Sequence, residues 1–325
     1  MLDRHRRMTT AAAILSVAPS LMAAAPVEET PTPTRAAPAE AGATAPDEAQ
    51  PAAQPADAAQ LADGAAATSS KSDYNLFNPT PRGALRPMSP DRPDLHESPY
   101  TVDAGRVQLE VSFFGWGTDK PGGGAATVTG LEIAPLLLKV GVLNNVDLQL
   151  GLAPYTTTKV SGASSSVSGF GDTVIRAKIN LLGNDDGDTA FGVMPFVSLP
   201  TAADGLGSDA VEGGLKVMYQ VALSSRWALG LMVEADLVKS AEQRGHVIDV
   251  MHTATVGGAL AGSLGGYLEY AGFTHLSGEE DFRGYVGGGL TYNFSDDLQI
   301  DGGVRAGVSD AAEDLYIFSG VSTRY

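Results

Sequence analysis

The side chains of this chain best placed to act on a passing solute are charges set two or four residues apart in alternating segments. Five segments hold two or more charges on a single parity: Arg106/Glu110, Asp172/Arg176/Lys178, Glu212/Lys216, Glu234/Asp236 and Asp301/Arg305. The opposite parity is apolar, as in Val211, Leu215, Val217, Tyr219, Val221 and Leu223. A period of two is that of a β-strand, so each segment shows one charged and one apolar face. The chemistry open to such a face is electrostatic: it attracts, orders or excludes ions and dipoles along a surface. Asp172, Arg176, Lys178, Lys216, Glu234, Asp236, Arg283, Asp301 and Arg305 are the candidate residues of a transport path. A short turn at Ser224–Arg226 pairs Leu223 with Trp227 and sets Lys216 opposite Glu234. Opposite charges across two strands contribute a few tenths to about 1 kcal/mol. Such pairs either fill a narrow interior or line a route through it.

Covalent chemistry finds little support. His275 and Ser277 have the spacing of a base and a nucleophile, but no Asn or Asp to orient the histidine is evident in sequence. The pattern expects no catalytic residue and no enzyme, with lipid hydrolysis a remote alternative. Asn184–Asp188 is acidic but lacks the spacing and distal Glu of a calcium loop, and reads as a hairpin turn. Gly287, Gly288 and Gly289 lie inside a strand pattern with no helix after it, so they relieve crowding and cradle no phosphate. With no cysteine in 325 residues, disulfides and thiolate metal sites are excluded. No cofactor and no metal are expected.

These residues need strands to carry them, and from Gly105 onward the chain supplies twelve, separated by Gly, Asn, Asp and Ser. They are expected over 105–116, 127–140, 146–156, 170–182, 189–200, 211–223, 227–238, 247–260, 266–274, 282–294, 298–308 and 314–325. Connections after odd strands are long and those after even strands mostly short, the pattern of an outer-membrane barrel with short periplasmic turns. The last strand, Leu315–Tyr325, alternates like the others, and pairing with the first would leave the sheet no edge. A charge facing lipid at mid-depth costs about 2–4 kcal/mol, so the one-parity charges are expected to face a lumen. Glu132 and Lys139 break the rule by lying on opposite parities; Lys139 is expected to snorkel to the interface. Phe191, Trp227, Phe294 and Tyr325 fall on the lipid-facing parity near the turn ends, as an aromatic girdle would.

The rest of the chain is of other kinds. Residues 1–25 have the basic start, apolar core and small-residue end of a signal peptide. Residues 26–72, rich in Ala and Pro, hold too few large apolar side chains to offset chain entropy and are expected to be a disordered linker. Residues 73–104 are Pro-rich but carry Tyr, Phe, Leu and Arg; they are expected to form an irregular plug in the lumen or a looser lead-in. The formal charge of −17 argues against nucleic-acid partners.

Four stretches together resemble a known family: SPDRPDLHESPYTVDAGRVQLE (Ser89–Glu110), GFGDTVIRAKINLL (Gly169–Leu182), FVSLPT (Phe196–Thr201) and Gln299–Tyr325. They are similar to outer-membrane transporters labelled as meta-pathway phenol-degradation proteins, over roughly Asp91 to the end. The resemblance implies an all-β, antiparallel transmembrane barrel in a Gram-negative outer membrane, passing small molecules, aromatic ones included. The last strand also resembles an assembly signal for the barrel-insertion machinery, with Gly320 and Tyr325 in its expected places and Phe318 and Thr323 departing from it. The expected partners are therefore the lipid bilayer, that machinery and a small-molecule substrate whose identity is unknown. The competing class is a structural or surface-interaction barrel that transports nothing.

Overall fold

The computed structural model describes residues 71–120, 126–163, 166–240, 245–277 and 281–325. The signal peptide expected at 1–25 lies outside them, as does the linker of 26–72 apart from Lys71 and Ser72. The strands are β1 (Val107–Asp119), β2 (Val128–Ile133), β3 (Leu136–Leu143), β4 (Val146–Leu152), β5 (Tyr155–Val160), β6 (Val167–Gly169), β7 (Thr173–Leu182) and β8 (Thr189–Leu199). They continue with β9 (Glu212–Ala222), β10 (Trp227–Lys239), β11 (His246–Ala261), β12 (Leu264–His275), β13 (Arg283–Ser295), β14 (Leu298–Gly307) and β15 (Leu315–Arg324). β2 and β3, β4 and β5, and β6 and β7 are the two halves of single barrel strands, so fifteen pieces make twelve strands. Every pairing in the wall is antiparallel, and β15 pairs with β1 from Gln108↔Arg324 to Thr118↔Leu315, which closes the barrel. Tyr325 completes the seal, its N–H donating to Val107 O at 2.8 Å.

Alternation carries through most of the wall. Leu148, Ile175, Leu215, Leu231, Val233, Leu237, Leu268, Leu290 and Val304 are exposed outside, while the acids and bases on the other parity are buried within. Trp227, Phe294 and Tyr325 stand exposed near the turn end of the barrel. The ladder places Lys216 opposite Glu234, the register read from the Ser224–Arg226 turn.

Three barrel strands change parity midway. In β1, Phe113 and Phe114 both face outward, and Phe113 is an extra residue with no register partner between Ser112↔Gly320 and Phe114↔Ser319. On the next strand Ala134-Pro135 separates β2 from β3, and beyond it Ala153-Pro154 separates β4 from β5. The breaks are neighbours in register, through Phe114↔Ile133 and Ile133↔Tyr155. Proline has no N–H for a ladder and settles at bulges, and Ala134 takes the left-handed region with φ 55°. The seam corrects the expectation for Lys139. Even residues face inward in β2 and odd ones in β3, so Glu132 and Lys139 are both buried inside, and Lys139 does not reach the interface. Part of the expected loop 157–169 is also strand, in β5 and β6.

The left-handed backbone at Ala134 generates a prediction. Ala134→Val should lower stability by about 1–2 kcal/mol, because a β-branched residue fits this region worse than alanine, whereas Ala134→Gly should be neutral or stabilising. Urea unfolding in lipid vesicles, followed by tryptophan fluorescence, reads the difference.

Candidate functional site

The segment before β1 does not stay outside the barrel. After a short 3-10 turn at Arg82–Ala84, Arg86–Asp103 runs through the lumen without joining the sheet. Its prolines deny it a strand's ladder, yet a buried N–H needs an acceptor. Wall carboxylates supply several. Glu110 accepts from the N–H of Asp91 at 3.1 Å and of Arg92 at 3.0 Å. Glu269 accepts from Leu95 at 2.9 Å and His96 at 2.8 Å, and Asp147 from Val102 at 2.9 Å. Glu110, Glu269 and Asp147 thus hold a backbone in place.

Side chains add a second set of contacts. Asp91 of the segment meets Lys139 at 2.7 Å and also pairs with Lys178, while Lys139 reaches Glu110 at 2.7 Å. Arg92 pairs with Asp301 at 2.7 Å and bonds the Ser112 hydroxyl. Glu97 takes Arg176 at 2.8 Å and Lys216 at 3.1 Å, and Lys216 meets Glu234 at 3.3 Å. At the turn end Asp103 lies 3.4 Å from Arg86 and 3.6 Å from Arg324. Arg86 and Lys71 also grip Asp185 in the β7–β8 turn, and despite partial burial these partners hold its carboxyl below the usual range.

Glycines in the wall make room for the segment. A Cβ on Gly230 would strike the His96 ring, one on Gly141 the Asp103 backbone, and one on Gly320 the Arg92 guanidinium. Gly320, singled out in sequence as part of an assembly signal, therefore sits on the inward face beneath a segment side chain. Tyr325, its companion in that signal, is 66% exposed on the outside. In the glycine-rich wall, Gly289 and Gly303 leave space for the Tyr267 ring.

Of the nine candidate path residues, Arg176, Lys178, Lys216, Glu234 and Asp301 meet around the segment or the partners it contacts. Asp236 is buried beside them, its register partner on β11 being another acid, Asp249. Arg283 and Arg305 lie toward the loop end. Arg283 is 5.4 Å from the Phe273 ring centroid, and Arg305 lies over Tyr285 at 5.6 Å and Tyr316 at 4.8 Å. Asp172 stands apart from the path expected for it. In the break between β6 and β7 it accepts the N–H of Ala202 at 3.0 Å and of Ser208 at 3.2 Å, tying down the β8–β9 loop.

Sequence reasoning missed Asp91, Arg92, His96 and Glu97 as contact residues. The alternating signs of DRPDLHE were the available signal. It also missed a partner for His275: Asp249, its register partner on β11, stands against Nδ1, so an orienting carboxylate is present after all. Ser277 lies in the exposed turn past β12. No group of three or more His, Asp or Glu among the described residues is arranged to hold a metal ion.

A closed twelve-stranded barrel, apolar outside and charged within, with a segment of its own chain threaded through it, has the architecture of outer-membrane channels. The family model described as "Putative MetA-pathway of phenol degradation" matches residues 90–325, and the chain belongs to that family. Among solved structures, an outer membrane channel from Pseudomonas putida F1 aligns over 73% of this chain and 100% of its own, with TM-score 0.57 at 12% identity. The NanC porin (TM-score 0.44) and the KdgM porin in complex with disordered oligogalacturonate (TM-score 0.43) each cover 67% of this chain and 98% of their own at 8% identity. At 12% identity the likeness to the Pseudomonas putida channel concerns the fold. No curated protein matches the chain.

Two predictions follow from these contacts. Lys139→Met leaves Asp91 and Glu110 buried with one cation fewer and should cost about 3–5 kcal/mol, since a buried ion stripped of its partner keeps its desolvation penalty. The midpoint of urea unfolding measures it, and Lys139→Met/Glu110→Gln should recover part of the loss. The second concerns Glu313, in the β14–β15 loop, whose carboxyl is pushed up to about 8 by burial, with Asp119 and Asp314 adding to the rise and Arg305 opposing it. A raised folded pKa gives stability that is full below the ordinary value of 4.5 and gone once pH passes about 8. Glu313→Gln should therefore flatten the fall in stability between pH 5 and about 8, read as unfolding midpoint against pH.

Proposed function

We propose that the protein is an outer-membrane channel for the passive passage of small molecules, and that Arg86–Asp103 is its plug. The single observation that carries this reading is the pairing of the lumen's charges with a segment that is no part of the wall. A barrel built only as a scaffold can satisfy inward charges across neighbouring strands, as Lys216 and Glu234 do. Here Lys178, Arg176 and Asp301 meet a segment outside the wall, and Lys139 meets it as well as Glu110 of the wall. Ion pairs taken out of water recover little net free energy, so such contacts specify a seat without holding it tightly. The family's link to phenol degradation supports small aromatic molecules as the first solutes to try. In this reading residues 1–25 direct export, the short turns face the periplasm, and Gly320 and Tyr325 serve insertion by the assembly machinery.

Planar-bilayer conductance tests the proposal. Deleting Asp73–Ser98 should raise single-channel conductance several-fold over the full chain, and unchanged conductance would favour the structural barrel. In the deleted background Lys216→Glu should move the reversal potential toward cation preference; an unmoved potential removes Lys216 from the path.

A further inference from the structure

All the methionines between Gly105 and Tyr325, namely Met194, Met218, Met232 and Met251, gather in one cluster. They come from four consecutive strands, β8 to β11, face inward, and are 0–2% exposed. Met218 and Met232 are register partners across the β9–β10 ladder. Methionine fills gaps in the cores of soluble proteins. The same faces of these strands, however, carry Glu212, Lys216, Glu234, Asp236, Asp249 and Thr253. Four thioethers together are an exception to that polar lining.

A second observation comes from the segment threaded through the lumen. His96 is 7% exposed, and its Nδ1 lies 3.3 Å from the hydroxyl of Thr253, the register partner of Met232. Its Nε2 is buried with no hydrogen-bond partner. The ring presses on Gly230, which shares its strand and its inward face with Met232 two residues on. A cavity of about 370 Å³ at the turn end is lined by His96 and Gly230, and the four methionines lie outside its lining.

We propose that His96 and the methionine cluster, Met218 and Met232 foremost, form a binding site for a soft monovalent cation of the Cu(I) or Ag(I) type. Thioether and imidazole donors select such ions over hard divalent ones. His96 belongs to the threaded segment and the methionines to the wall, so the ion ties one to the other. The site does not depend on the barrel conducting.

The probe is Ag(I), which undergoes no redox change, added to the full chain folded in detergent micelles. The chain has no cysteine, so no thiol competes for the ion. Equilibrium dialysis with elemental analysis should find retained Ag(I), and Mg(II) should not displace it. Met218→Leu/Met232→Leu, close in volume, should weaken binding by about tenfold or more, as should His96→Asn. The shift of the unboiled band on a gel reports that each variant is folded; if the double variant loses it, Met232→Leu alone serves. Ag(I) binding should also slow proteolysis of the Arg86–Asp103 segment. The proposal is overturned if the wild-type chain retains no Ag(I), or if the folded leucine variant retains as much as wild type.

Discussion

The cost of turning a charge toward lipid governs this structure. At about 2–4 kcal/mol per charge at mid-depth, no strand can spread its acids and bases over both faces, so they gather inside. A twelve-stranded barrel is narrow, and charges gathered there need partners. Some find them across the ladder, as Lys216 does in Glu234. Others find them on the threaded segment, whose Asp91, Arg92 and Glu97 each meet wall charges of opposite sign. The segment's own needs are complementary. Its Pro-rich backbone cannot enter the sheet, and Glu110, Glu269 and Asp147 accept the N–H groups this leaves over. Wall and segment satisfy each other.

Much of the wall was legible because one rule, alternation, acts residue by residue. The parity of Arg176 and Lys178, the Lys216–Glu234 register and the pairing of β15 with β1 all follow from it with turn lengths. What escaped lies where alternation is interrupted or where contacts are remote in sequence. Lys139 looked lipid-facing because the Ala134-Pro135 break was read as continuous strand. Asp172 shares parity with Arg176, yet lies in the break before β7 and serves the β8–β9 loop. Asp249 and His275 are neighbours only after β11 and β12 have paired. The segment's contacts were beyond reach for a simpler reason: an irregular chain has no period from which to read a register.

Glycine shows how the two parts were matched. Strand interiors disfavour it, so a glycine there calls for a reason. Gly141, Gly230 and Gly320 have one in common: each lies where a segment group would collide with a Cβ. Widely separated in sequence, they trace the segment's path on the wall. The Arg92 guanidinium above Gly320 reaches Asp301 and Ser112 from a position a larger residue would deny it.

The same contacts bear on how firmly the segment is held. Removing Asp91, Glu97, Lys139 and Arg176 from water carries a penalty that their mutual attraction roughly returns, so the pairs add specificity more than net affinity. Hydrogen bonds from the segment's backbone to carboxylates are stronger, but on release both groups regain water. What remains is packing, to which the segment brings Met88, Leu95, Tyr100 and a buried Pro99 and Val102. The ladders that close β1 on β15 do not pass through the segment, so the plug proposed above would leave a closed barrel behind it.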